Sequence, residues 1–586
     1  MKRYSSIDFL RGVSMLIMLI LHSIMLILNR PYYLEEISHI KSINLIVYLL
    51  ILFYSGLAGL FLLVSSVGNM ISMQKFLQKG KSTTELAKRQ IIGGLILLLF
   101  AMLSEAILNH RAFTGVILRE IDRFGEYAAT TEGLWGTLWS FSSDEILSRY
   151  YHMETIHTIA WCVILNGITH AILSKKFKGN IKKMIKAYWI LAIIIIALTG
   201  FVWWGVDQLI PGYPYNDLQY ANLANFNLWE IFYKFWLLPL AGEPEPVFPY
   251  LAVSYIGSVV GIYMAQEDRS KIKTRFFKNL MYLGAVMFVV GLLGFLTNVV
   301  LFFIDGNFDA GMEVLANSSR HRDYTTYNER FDGLSLMIPG GWLFQFLCLN
   351  GFALACICMI IRLVDFRGKA EKFAKKTKFI RRLGTVAFTV YTIEWIIYLL
   401  GMLVYSLAPE TFGGNRYDEM FWGGTLITLF LVLIVYWVLL WLWEKISYVG
   451  SIEWCIGELV ALFSSSRRRS IQDSYETSGK KAKWYDYGKI NVDTDNVEWI
   501  NIVENEEIDH SQLTDSRFFN KLAVVSVAFI PFALICLFSA SKTIKLEGKN
   551  KYIKRSILVS SINLGIALIV ITILSIFTGE QLGIPL

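Results

Sequence analysis

Charge is scarce in this chain. Across 586 residues the Asp, Glu, Lys and Arg side chains make up only 17%, against 55% hydrophobic and 15% aromatic residues. A soluble protein of this length needs more charge to cover its surface, so that class is excluded. Cysteine is also sparse. The six thiols, Cys162, Cys348, Cys356, Cys358, Cys455 and Cys536, lie in or beside apolar segments, and none has a metal-ligand spacing. Neither a disulfide framework nor a zinc site is expected. A small-residue cleavage site is missing after the first apolar run, and that run is longer than the apolar region of a secretory signal. It is therefore read as a membrane helix. The net charge of +8 does not point to nucleic acid, because Lys and Arg gather in short loops between apolar segments, as positive-inside topology requires.

Apolar length is what the chain has in abundance. Windows long enough to cross a bilayer predict helices near 9–28, 43–73, 90–109, 153–173, 185–206, 248–266, 279–304, 340–363, 383–405 and 421–443, with two more near 520–540 and 555–577. The expected fold is an all-α, polytopic transmembrane bundle: a core over 1–465, a charged cytoplasmic linker over 466–517 and a two-helix membrane hairpin over 518–586. Basic clusters at Lys2–Arg3, 75–89, 175–186, 267–278, 367–382 and 464–470 follow every second crossing, which places the N-terminus in the cytoplasm of a cell membrane. The opposite side receives three long loops, near 110–152, 207–247 and 305–339, and loops of that length are usually functional. Residues 444–464 read as an interfacial helix. The linker is basic, then acidic, and solvated, with a short strand at "VEWINIV".

Polar residues inside apolar windows are the chemical candidates, since each is costly there. The first window, "SSIDFLRGVSMLIMLILHSIMLILN", holds Asp8, Arg11 and His22. Arg11 and His22 stand close to three helical turns apart. They share a face, about 20° apart in projection, and are separated by roughly 16 Å along the axis. Asp8 lies within reach of Arg11 on that face. The weaker alternatives are an interfacial anchor paired with Asp8 for Arg11, and a hydrogen bond to a neighbouring helix for His22.

These segments, in this order, resemble integral-membrane acyltransferases of the group that includes heparan-alpha-glucosaminide N-acetyltransferase and the acyltransferase-three proteins. The likeness is carried by "SIDFLRGVSMLIMLILH", "FYSGLAGLFLLVSSVGNMIS" (53–72), "ETIHTIAWCVILNGI" (154–168), "PVFPYLAVSYIGSVVG" (246–261), "RRLGTVAFTVYTIEWIIY" (381–398) and "VGSIEWCIGELV" (449–460). Arg11 and His22 match the arginine and histidine of the group's first helix. Ile456–Gly457 departs from the aromatic and arginine that relatives carry, and the outer loops match nothing. The resemblance covers about residues 1–464. It implies transfer of an acyl group, acetyl foremost, from cytosolic acetyl-CoA or another acyl-CoA to a hydroxyl or amine of an extracytoplasmic glycan. It implies Arg11, with Asp8 beside it, at the donor, and His22 as base or transient acyl carrier.

Glu154 and His157 share a face at the start of the fourth window and form a second acid–base candidate, although a capping and interface pair is the blander reading. Glu105 and Glu394 are further acids in apolar context. The cluster Arg320, His321, Arg322 and Asp323 reads better as a solvated loop than as a sugar site, and topology alone explains Lys75, Lys88 and Arg89. Asn317 opens a glycosylation sequon too short to weigh. Membrane lipid, acyl-CoA and a glycan acceptor are the expected partners, without metal or nucleic acid; a homo-oligomer is left open. The rival reading is a transporter or flippase using the same polar residues. Absence of half-to-half similarity favours the enzyme over it. A third reading is a non-catalytic member whose C-terminal hairpin recruits a partner.

Overall fold

A computed structural model describes residues 2–29, 58–137, 153–209, 235–304, 341–477, 481–490, 497–502, 513–526 and 531–577, apart from positions 238, 243, 244, 413 and 415. The first part of the window at 43–73, the cluster Arg320–Asp323 and the sequon at Asn317 lie outside them. The described chain is almost wholly helical. It falls into two units, one of 1–28 and 52–502, the other of 29–51 and 503–586.

Most of the apolar windows become long helices, and hydroxyls within them, such as Ser14 and Ser23, return to carbonyls one turn earlier without ending the helix. In chain order they are α1 (Ser5–Ile27), α2 (Ala58–Gln78), α3 (Thr83–Leu103), α4 (Thr155–Phe177), α5 (Ile181–Leu209), α6 (Val247–Met264), α7 (Thr274–Ile304), α8 (Gly341–Val364) and, later, α12 (Trp422–Lys445). Among the described residues, these nine helices are long and apolar enough to cross a membrane, as in a multi-pass membrane protein. Helix α6 is the central one: it packs on α2, α4 and α5, and nearly all its side chains are buried. The lipid-facing character of the outer helices is visible in exposed Ile193, Phe201, Leu293 and Phe430.

The window at 383–405 is not one helix. It breaks into α9 (Lys378–Thr385), α10 (Ala387–Thr392) and α11 (Ile396–Leu407). The sequence "GTVAFTVYTIEW" places three threonines beside the breaks. Thr385 and Thr392 return their hydroxyls to the carbonyls of Arg381 and Phe388 at 2.8 and 2.9 Å, a bond that bends helices. Thr389 instead donates to Glu453 at 2.5 Å. The second break, at 393–395, places Glu394 in a turn.

Helix α9 packs tightly along the first half of α1. A Cβ on Gly12 would lie 1.7 Å from the Ile380 carbonyl oxygen, and one on Gly384 would lie 2.5 Å from the Gly12 nitrogen. Only glycine permits this backbone approach. After α12 the chain turns and enters α13 (Ile452–Phe463), capped by Ser451, which accepts from Trp454 N.

Two stretches of the segment expected to be a solvated linker, 481–490 and 497–502, are packed within the first unit. Trp454 Nε1 donates to Tyr485 O at 3.0 Å and Gly488 N to Glu458 Oε1 at 2.6 Å. Further on, β2 (Glu498–Trp499) pairs in parallel with β1 (Lys2–Arg3), and Ile502 N donates to Asp365 O at 2.8 Å. The alternation in "VEWINI" drives the docking: Val497, Trp499, Ile500 and Ile502 are all buried. The acidic stretch at 503–512 lies outside the described residues.

In the second unit, α15 (Pro531–Glu547) and α16 (Lys551–Phe577) meet at a turn around Gly548, and α14 (Thr514–Val525) packs on both. The window at 520–540 thus holds the end of one helix and described residues of another. Glu547 accepts from the backbone of Asp515 and Ser516 at 2.8 Å each. Asn563 reaches Ala523 O and Ser526 Oγ. These bonds satisfy polar groups that would otherwise be costly among apolar helices.

Candidate functional site

Helix α1 is unbroken over its 23 residues, so Arg11 and His22 keep the shared face that their spacing requires. His22 Nδ1 stands 2.6 Å from Glu394 Oε2. An ionised carboxylate only accepts, so the imidazole donates through Nδ1 and carries its lone pair on Nε2. The Glu394 side chain is fully buried, while 22% of the His22 side chain is exposed. The acid is sealed off; the histidine keeps an accessible portion.

Glu394 owes its position to the broken ninth window. Helix α10 is held at its start by Glu453, which accepts from Phe388 N at 2.6 Å and from the Thr389 hydroxyl. One turn later the chain unwinds and turns the carboxylate toward α1.

A third residue completes the cluster. His110 Nδ1 lies 3.1 Å from Glu394 Oε2, and the rings of His22 and His110 are 5.0 Å apart between centroids. His110 arrives there because α3 ends in a π turn, Ser104–Leu108. That turn is fastened to α10 by Tyr391, whose hydroxyl donates to Glu105 Oε1 at 2.5 Å, and by a Ser104–Thr392 hydroxyl contact of 3.0 Å. Asn109 Nδ2 also donates to Glu105 Oε1, at 3.0 Å, and fixes the residue next to His110. Glu105, an expected candidate, therefore holds the turn that presents His110.

Arg11 makes no hydrogen bond or ion pair among the described residues, though Asp8, Arg3 and Glu453 act on it electrostatically. Gly68 leaves it room, since a Cβ there would lie 3.0 Å from Arg11 Nη2. Asp8 does not pair with Arg11, as its spacing allowed. It accepts from Arg3 at 2.9 Å, because β2 draws the chain terminus alongside. Trp499 of β2 lies over the Arg381 guanidinium at 4.6 Å, so the segment before α1 and the start of α9 form one basic region.

Glu154 occupies the residue before α4, with no side-chain cap bond, and acts electrostatically on Arg111. His157 is buried within α4. Neither belongs to the His22 cluster. Near them Glu245, just before α6, is buried, and burial pushes its carboxyl up to about 8. At the far end of α1, Arg416 bridges Asp122 at 3.0 Å and Glu120 at 3.4 Å, which ties the segment following His110 to the chain that enters α12.

His110 was not legible as a candidate, because its position read as the start of an outer loop. The nearest signal was Glu105 itself, an acid in an apolar window that had to find a partner. No family model, curated protein or solved structure matches this chain.

Proposed function

We propose that this protein is a membrane acyltransferase that moves an acyl group, acetyl foremost, from acyl-CoA at the cytoplasmic end of α1 to a hydroxyl or amine of a glycan on the other side. The basic clusters orient the chain this way in a cell membrane. One observation carries the reading: His22, oriented through Nδ1 by the sealed Glu394, shares α1 with an Arg11 that has no ion-pair partner among the described residues.

The chemistry follows from these positions. The Arg11 guanidinium binds a donor phosphate, for which its planar fork is suited. His22 Nε2 takes the proton of the acceptor hydroxyl or amine as that atom attacks the thioester carbonyl. Glu394 stays ionised and stabilises the imidazolium. The carbon–sulfur bond then breaks, the His22 proton passes to the departing thiolate, and an ester or amide remains on the acceptor.

The broken helix at Glu394 favours a second reading, because discontinuous helices with buried acids also line transport paths. Acyl-CoA binding and turnover by detergent-purified protein, wild type and His22→Ala, separates the two. Saturable binding with turnover lost in the variant supports transfer. A protein that ignores acyl-CoA and moves a solute across liposomes is a transporter.

A further inference from the structure

His22, His110 and Glu394 form a cluster in which three ligand atoms lie within 4.8 Å of one another. Their polar atoms are poorly satisfied. Among the described residues, both ring nitrogens of the buried His110 and Oε1 of Glu394 have no hydrogen-bond partner. The His110 Nδ1 contact to Oε2 at 3.1 Å is close enough for attraction but lacks hydrogen-bond alignment. Buried polar atoms without partners cost about 1–3 kcal/mol each, and more when charged. A buried carboxylate flanked by two imidazoles is therefore a site short of a cation.

We propose that this cluster binds one divalent first-row transition-metal ion, zinc being the best fit, through His22, His110 and Glu394. Two imidazole nitrogens and a carboxylate oxygen suit such an ion, whereas calcium and magnesium prefer all-oxygen shells. With metal–ligand bonds of about 2.0–2.1 Å, tetrahedral ligands sit about 3.3 Å apart. The observed nitrogen–oxygen separations are 2.6 and 3.1 Å and all three ligand atoms lie within 4.8 Å of one another, so changes in separation of up to roughly 1.5 Å admit the ion. The ion replaces the proton shared by His22 and Glu394 and engages His110, which that proton leaves unsatisfied. Because His22 is partly exposed, the fourth position faces the accessible side. The backbone around His110 is braced, since Asn109 N donates to Ser104 O at 2.8 Å and Ala112 N to Asn109 O at 3.0 Å. Metal ligands need support of this kind.

This inference goes beyond acyl transfer and does not rest on it. A metal coordinated at Nδ1 leaves the proton of His22 on Nε2, so the ion, while bound, holds the proposed base idle, and acyl transfer belongs to the metal-free protein.

The test is cobalt(II) titration of the full chain in detergent after chelator treatment, read by visible absorption and by bound metal per chain. The expected result is one tightly held ion with tetrahedral bands, lost at least 10-fold in affinity in His110→Ala and Glu394→Gln, both checked for a monodisperse elution profile. His110→Cys is expected to keep the ion and add a sulfur-to-cobalt charge-transfer band, a gain that misfolding cannot produce. No bound ion in the wild type, equal binding in the Ala and Gln variants, or a cysteine variant that binds cobalt without the new band overturns the proposal. Acyl turnover is not part of the readout, so its failure leaves the acyltransferase reading untouched.

Discussion

His22 and Glu394 are 372 positions apart in the chain, and their side chains meet at 2.6 Å. The contact joins an unbroken helix to a broken one, and it fixes which ring nitrogen of His22 faces away from the protein's own acid. If His22 is the base, Glu394→Gln removes the charge that stabilises its imidazolium and no longer enforces the tautomer. The expected outcome is a kcat lower by about 100-fold to 10,000-fold, with donor KM little changed. Steady-state kinetics with acyl-CoA checks this. A variant of normal kcat removes Glu394 from the proposed chemistry.

Arg11 has a different task, and its variants separate from those of His22. Losing a hydrogen-bonded charge pair to a donor phosphate costs about 1.5–3 kcal/mol, so Arg11→Ala is expected to raise donor KM about tenfold to a hundredfold. Arg11→Lys recovers only part, because lysine keeps the charge without the planar fork. Isothermal titration of CoA into each variant gives the comparison. Equal weakening by His22→Ala would dissolve the division between donor grip and base.

Much of this arrangement could be read from the residues alone, because a long apolar run has few alternatives to a membrane helix. Arg11, His22, Glu105 and Glu394 all stood out, since charge inside such a run must find a partner. Their pairing was not legible. It depends on where the ninth window breaks, and the break depends on Glu453, which enters from α13. His110 was missed for the same reason: the π turn that returns it is fastened by Tyr391 from another helix. The strand at "VEWINIV" was foreseen and is β2, but its partner at Lys2–Arg3 lies at the other end of the sequence. Local pattern names the polar residues; tertiary contacts choose their partners.

Asp365, just after α8, makes stability depend on pH. It accepts from the Ser6 hydroxyl, and its backbone carbonyl receives Ile502 N. Burial pushes its carboxyl up to about 8 from an ordinary value of 3.8, against the opposing pull of the Ser6 bonds. In the unfolded chain this proton leaves near the ordinary value, whereas the folded chain holds it to about 8. Between those values the folded state binds more protons, so stability falls as pH rises. The contribution is complete below the lower value and gone above the upper one. Asp365→Asn is expected to flatten this slope in part, with Glu245 keeping its own share, and to raise Tm relative to wild type above pH 8. Thermal unfolding in detergent from pH 5 to about 9 follows it across the window set by the two carboxyls. A parallel shift of both curves would show that Asp365 holds no such proton.

Gly12 tests whether the seam between α1 and α9 positions the site. A side chain there has nowhere to go, since its Cβ would fall 1.7 Å from the Ile380 carbonyl oxygen, a backbone atom that cannot swing aside. Gly12→Val must therefore push α9 away from α1, at a cost of about 1–3 kcal/mol or more for overpacking. The strain should travel, because α9 leads directly into α10 and the turn holding Glu394. The expected outcome is a lower Tm together with a loss of turnover larger than that of a variant matched in Tm but placed on the lipid face, such as Phe430→Ala at an exposed position. If the two variants lose activity in proportion to Tm alone, the seam contributes stability without setting the distance between His22 and Glu394.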